Sequence, residues 1–274
     1  MNRRNFVRIA ITAGLAIVVC STFHGRAQAT GKPRELVIFA AASLRETFQN
    51  LADNFEKTHA DVKVRLNFAG SQELRVQIEH GAKADVFASA DTKHMQAVRN
   101  QKLVTDSRIF ARNEPVVIVP ATNPAKLTRF ADLPKAERIV VGVPEVPIGA
   151  YTETILANSE KPYGAKFRDA VVAHIRSREL NVRQVLTKVS LGEADAGIVY
   201  KTDALSAKDK VSAIEIPDNV NVVADYPLAV LTAAPEPELA GEWVAAVLGS
   251  EGQQVLRNAG FRPAPEVAAK PDKR

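Results

Sequence analysis

The sequence predicts an α/β protein of two lobes, each a mostly parallel sheet flanked by helices, with a ligand cleft between them. Three observations carry this. Compact apolar runs of strand length alternate with stretches whose apolar residues recur at steps of three and four, the period of a helix face. The connections are helix-length, so successive strands run parallel and helices cover both faces of each sheet. The alternation occurs twice, in halves of about a hundred residues, with apolar runs at Val116 and Leu228 where the chain can pass between them. A chain of 274 residues can bury a large core without disulfides or metals.

The elements follow in order. Glu35 to Ala40 is a strand, and Leu44, Phe48, Leu51 and Phe55 mark one face of the helix after it. Val62 to Ala69 alternates apolar and polar and is the next strand. Ser71 opens a helix carrying Leu74 and Ile78 and closed by Gly81. Asp85 to Ser89 is a short buried strand, and Asp91 caps a helix with Met95 and Val98 inward. Val116 to Val119 is strand, ending at Pro120. The second half repeats the theme: strand at Ile139 to Val143, helix at Gly149 to Leu156, a short strand at His174 to Arg176, helix at Val182 to Leu191, strand at Gly197 to Tyr200. Leu228 to Leu231 is a late strand, and Pro237 to Ala259 forms terminal helices with Trp243, Val247 and Leu256.

The N-terminus reads as an export signal. Arg3, Arg4 and Arg8 precede a mostly apolar stretch from Ile9 to Cys20, and Ala27-Gln28-Ala29 is a small-x-small cleavage site. The stretch is shorter than the about twenty residues that span a bilayer. Val18 and Val19 before Cys20 lack the small residue of lipoprotein processing, and Arg3-Arg4-Asn5-Phe6 leaves a twin-arginine route open beside the general one. Residues 1–29 are therefore expected to be a signal peptide, 30–115 the first part of lobe 1, and 116–225 lobe 2. Residues 226–262 are expected to return to lobe 1 and 263–274 to form a flexible tail. Removing 1–29 takes out four arginines and no acid, leaving 32 basic against 31 acidic residues, a net charge of +1. The +5 of the full chain thus says little about partners, and 6% aromatics argue against base-stacking platforms for nucleic acid. Cys20, the sole cysteine, leaves with the signal, which excludes disulfides, thiolate catalysis and cysteine-bound metal in the mature chain.

In folds of this class ligands sit at the carboxyl ends of strands, where helix N-termini point. Ser43 stands at such a junction as an N-cap, with Glu46 completing a capping box. Ser71 stands at a second, Pro147-Ile148-Gly149 leads into a third, and Asn181 caps a fourth that begins at Val182. Tyr200 ends the Gly197 strand. A capping serine accepts a backbone N–H and keeps its own proton for a ligand. Ile148 and Val182 offer backbone N–H groups that lack intrahelical partners. Tyr200 reads equally as a buried aromatic whose phenol needs a partner.

The strings FAAASL (39–44), FAGSQEL (68–74), GAKADVFASAD (81–91), VPEVPIGAYTE (143–153) and GEADAGIVYKTDA (192–204) resemble the periplasmic molybdate-binding proteins of bacterial ABC importers. The likeness runs from about Glu35 to Phe261. It implies the type II two-lobed periplasmic binding protein fold, with one tetrahedral oxyanion held in the cleft by two serines, a tyrosine hydroxyl and backbone amides. On the matching motifs these are Ser43, Ser71, Tyr200 and the amides of Ile148 and Val182, with no arginine or lysine touching the ligand and no direct metal ligand. The implied ligand is molybdate or tungstate, carried as cargo rather than held as a cofactor, and the implied partner is a membrane permease that receives it from a monomeric protein in the periplasm. Gly70 and Gln72 flank Ser71 where the family carries further serines, Ile148 replaces a small residue, and Ala157 to Arg178 is longer than usual.

Other readings stand beside this one. The chain has no G-x-S-x-G, H-E-x-x-H or phosphate-loop motif, and the mature histidines His59, His80, His94 and His174 are dispersed, most of them expected in solvent, so a hydrolase ranks last. A ferric-ion carrier would need clustered tyrosines and carboxylates, and Tyr151, Tyr163, Tyr200 and Tyr226 show no adjacent pair in sequence. Sulfate or another tetrahedral anion remains open.

Overall fold

The computed structural model describes residues 33–265. The expected signal peptide and most of the expected tail lie outside them. Two mixed sheets organise the chain. The first contains β1 (Arg34–Ala41), β2 (Val62–Ala69), β3 (Val86–Ala88), β4 (Arg108–Asn113), β10 (Ala224–Val230) and β11 (Arg262–Pro263), in the order β11-β4-β10-β3-β1-β2. The second contains β5 (Pro115–Pro120), β6 (Ile139–Gly142), β7 (Ile175–Glu179), β8 (Ala196–Tyr200) and β9 (Val211–Glu215), in the order β7-β6-β8-β5-β9. Each holds three parallel strands, β2-β1-β3 and β7-β6-β8, extended by antiparallel ones, β10 in the first and β5 in the second.

Alternation along β1 shows how the first sheet is buried on both faces. Leu36, Ile38 and Ala40 face the main core, with Phe48 and Phe55 of helix α1 (Arg45–Thr58) and Trp243 of α8 (Pro237–Leu248). Val37 and Phe39 face the other way. They meet Leu74 and Ile78 of α2 (Ser71–Glu79) and Met95 and Val98 of α3 (Thr92–Asn100). The edge strand β2 keeps the alternating pattern, with Val62 and Val64 buried and Lys63 and Arg65 exposed. The second sheet is covered by α4 (Pro147–Tyr163) and α6 (Val182–Ser190), and Ile118, Val140, Val185 and Ile198 fill its core.

The chain leaves the first sheet at Asn113 and enters the second at Pro115, with only Glu114 between. It returns between Glu215 and Ala224. Both passages lie just ahead of the Val116 and Leu228 runs rather than within them. Six elements escaped the sequence reading: β4, a 3-10 helix (Phe130–Lys135), α5 (Ala165–Ala173), α7 (Lys201–Ser206), β9 and the two-residue β11. The long segment after Ala157 is spent on the end of α4 and on α5, joined at Gly164, where φ is +80°. Gly249 divides the terminal helical region into α8 and α9 (Ser250–Asn258). Pro263, assigned to the tail, pairs with Ala111 of β4.

Candidate functional site

All five residues singled out in the sequence line one small, narrow cavity at the carboxyl ends of β1, β2 and β8 and the starts of α2, α4 and α6. Gly70, Val146, Pro147, Asn181 and four alanines complete its wall, and no charged side chain lines it. Larger grooves exist; the most polar runs along α1, α7 and α9 past Glu46, Asp53 and Lys57. Its charged lining is two carboxylates and one lysine, a net negative wall that disfavours an anion. The small cavity gathers the starts of α2, α4 and α6 with an uncharged wall.

Ser43 and Ser71 reach it by routes other than helix capping. Ser43 lies inside a 3-10 turn (Ala42–Leu44), makes no cap bond, and forms a 2.9 Å hydrogen bond with the Tyr226 hydroxyl. Its expected capping-box partner, Glu46, instead pairs with Arg183. Ser71 is the first residue of α2, one position inside the cap, which is Gly70; Glu73 accepts the Gly70 N–H at 3.1 Å. The Ser71 Oγ accepts the Ala90 N–H at 3.0 Å from a neighbouring strand end. Its hydroxyl proton is thereby left for another acceptor.

The two amides are freed by local helix geometry. In α4, Pro147 takes the first helical position, where its missing N–H costs nothing, and Ile148 follows as an N–H in the unpaired first turn. Gly149 is required next: a Cβ there would sit 1.9 Å from the Val143 carbonyl oxygen. In α6, Asn181 Oδ1 accepts from both Arg183 and Gln184. The cap is thus used up on the second and third positions, which leaves the Val182 N–H as a free donor of that turn.

Tyr200 ends β8 and is 1% exposed, and its hydroxyl has no hydrogen-bond partner. A buried phenol left unpaired costs the folded state about 1–3 kcal/mol, a cost that an acceptor in the cavity would offset. Burial pushes its pKa well above the usual phenol value, with the neighbouring Tyr226 and Tyr151 adding to the shift. It is a neutral donor at any physiological pH. Asp203 Oδ2 accepts the Tyr200 backbone N–H at 3.2 Å and holds the end of the strand in place. Burial pushes the Asp203 carboxyl up to about 7, against the pull of the Arg183 guanidinium 2.9 Å away and of that N–H.

Several participants gave no signal in the sequence. Arg183 is clamped between Asp203 and Glu46, so its charge is committed before any ligand arrives. Three polar contacts tie elements of the first sheet to elements of the second around the cavity. Gln72 donates to the Leu180 carbonyl at 2.7 Å, His94 Nε2 bonds the Glu145 carbonyl at 2.9 Å, and Glu46 meets Arg183. His94 is therefore a buried residue and not a solvated one. Three of the four tyrosines scattered in sequence come together in space, while Tyr163 packs on Phe130 and Phe167. The Tyr200 ring lies 5.7 Å from Tyr226 and 6.4 Å from Tyr151. No carboxylate joins them at the cavity wall, and among the described residues no cluster of three His, Cys, Asp or Glu could hold a metal ion.

Comparison with known proteins places these features in a family. Residues 36–262 match the model of the bacterial extracellular solute-binding proteins. The chain is 39% identical over 262 residues to the molybdate-binding protein ModA of Mycobacterium tuberculosis, covering 93% of this chain and 95% of that one. Among solved structures, the substrate-binding domain of a putative molybdenum ABC transporter from Clostridium difficile superposes with a TM-score of 0.64 at 29% identity, covering 84% of this chain and 99% of that one. The periplasmic molybdate-binding protein of Azotobacter vinelandii gives a TM-score of 0.72 at 20% identity over 84% of this chain and all of its own, a likeness of fold.

Proposed function

The chain belongs to the bacterial extracellular solute-binding proteins, and from that premise we propose that it captures molybdate outside the cytoplasm and delivers it to an ABC importer. It is a binding protein, not an enzyme, and its ligand is cargo. One observation carries the reading: the orphaned Tyr200 hydroxyl shares an uncharged cavity with two serine hydroxyls and two helix-start amides. Such a set suits a tetrahedral dianion. Each oxygen can accept more than one hydrogen bond, and the helix N-termini add positive potential without a cation. Hydrogen bonds to a charged group contribute about 1.5–3 kcal/mol each. Five reach about 10 kcal/mol before ordering costs, which corresponds to micromolar affinity or tighter.

Tungstate has the same shape and charge and is expected to bind as well; sulfate tests how far the cavity discriminates by size. A permease as the receiving partner, a monomeric state and export by cleavage after Ala29 complete the proposal. Ferric ion is disfavoured by the uncharged wall and by the engagement of the Tyr226 phenol with Ser43. The test is a thermal-shift panel of molybdate, tungstate, sulfate, phosphate and ferric ion on the chain from Thr30 onward. Ligand at a hundredfold excess over Kd contributes about 2.7 kcal/mol, a rise of roughly 5–10 °C for a chain of this size. A rise with ferric ion and none with molybdate or tungstate would reverse the assignment.

A further inference from the structure

We propose that Tyr226 is a positioning residue for the anion site: its phenol donates to Ser43 Oγ, which turns the serine proton into the cavity and makes it a stronger donor. The inference rests on the oxyanion reading of that cavity. Tyr226 itself does not line the wall, so its action runs through Ser43.

The anion in the cavity fixes the direction that the geometry leaves open. Ser43 Oγ and Tyr226 Oη are 2.9 Å apart and buried, and either could donate. Each hydroxyl has a single proton. If Ser43 donated to Tyr226, the serine would present only lone pairs to an anion and repel it. With the phenol donating, Ser43 keeps its proton for the cavity. A hydroxyl that accepts one hydrogen bond is polarised into a better donor for the next.

The phenol is also held still. Tyr226 sits in β10 where its pairing with β4 shifts register, between Tyr226 and Pro227. Its ring meets Phe110, Tyr200 and Phe261 edge to face at 6.3, 5.7 and 5.5 Å. Aromatic contacts on three sides fix the hydroxyl against Ser43 before any ligand enters. Tyr226 and Tyr200 thus have different tasks: one phenol points at the serine, the other has no partner until the cavity is filled.

A double-mutant cycle tests this. Molybdate is titrated calorimetrically into the chain from Thr30 onward and into its Tyr226→Phe, Ser43→Ala and doubly substituted forms, with the ligand-free melting temperature of each recorded. Tyr226→Phe is expected to weaken binding about three- to tenfold, the range of one neutral hydrogen bond. In the Ser43→Ala background the same change is expected to weaken binding less than twofold. Equal losses in both backgrounds would mean that Tyr226 merely supports the fold and would overturn the inference, as would a Tyr226→Phe protein that binds like wild type. If Ser43→Ala binds like wild type, the serine is no donor and the inference falls while the function stands. Failure of the unsubstituted protein to bind any oxyanion would overturn both. Should Tyr226→Phe not fold, 3-fluorotyrosine incorporated at Tyr226 keeps the hydroxyl and strengthens it as a donor; tighter binding supports the inference and unchanged binding overturns it.

Discussion

Tyr200 shows how a residue can be costly to the empty protein and necessary to the filled one. Its buried hydroxyl lacks a partner, so Tyr200→Phe is expected to stabilise the ligand-free chain by up to about 1 kcal/mol while weakening molybdate about ten- to a hundredfold. Chemical denaturation and calorimetry on the same preparation check both signs. Because burial holds the Tyr200 and Tyr226 protons well beyond the ordinary phenol range, no donor is lost as pH rises from about 7 to 9, and affinity should stay flat across that interval. Asp203 behaves oppositely. Its carboxyl, raised to about 7, keeps a proton in the folded chain that the unfolded chain gives up above about pH 4. The folded state binds more protons across that window, so this residue makes stability fall as pH rises from about 4 to 7. Urea unfolding at several pH values should show a shallower decline in Asp203→Asn than in the parent. At this scale the sequence displayed Ser43, Ser71 and Tyr200 through their motifs. It could not display Tyr226 or Arg183, because a hydrogen bond between residues 183 positions apart leaves no local pattern.

Helix starts carry half of the site, and their construction explains which elements could be read. Asn181 before an amphipathic run is a plain start signal, and α6 begins where that signal places it. The N-cap does more than end the helix, since it decides which amide stays free. Asn181→Ala is expected to cost about 0.5–2 kcal/mol of stability and to loosen molybdate as well, because the first turn that presents Val182 frays. Gly149→Ala is expected to be worse. Its methyl group would meet the Val143 carbonyl, displacing the start of α4 and the Ile148 amide with it, so thermal melting and calorimetry should both register the loss. The caps assigned to Ser43 and Ser71 were misplaced by one or two residues because a 3-10 turn and a glycine cap look the same in sequence as a serine cap. The strands β4 and β9 went unread for a different reason. RIFARN and VSAIE are short and break the strict apolar–polar alternation, Phe110 and Ala111 being buried side by side and Ser212 and Ala213 exposed side by side. Helix α7 has six residues, too short for periodicity to register.

At the scale of the whole molecule, the five donors are divided between the elements of two sheets, and a ligand that touches all of them joins the two. Ser43 and Ser71 follow strands of the first sheet; Ile148, Val182 and Tyr200 belong to the second. The contacts of Gln72 with Leu180, His94 with Glu145 and Glu46 with Arg183 span the same division. An anion that favours the arrangement in which these contacts form shifts the population toward it by its differential affinity. Glu46 is half exposed, so Glu46→Gln should change ligand-free stability by less than about 1 kcal/mol yet speed molybdate release a few-fold, which stopped-flow displacement by tungstate would measure. Small-angle scattering should show a smaller radius of gyration with molybdate than without it. The central claim is that neutral donors alone hold the anion, and its most direct measurement is a calorimetric titration with molybdate at low and high salt. One site per chain, micromolar or tighter, and weakened less than about threefold between 50 and 500 mM sodium chloride is the expected result, because no free cation is there to be screened. No binding heat at all, or an affinity that collapses with salt as charge pairing does, would contradict it.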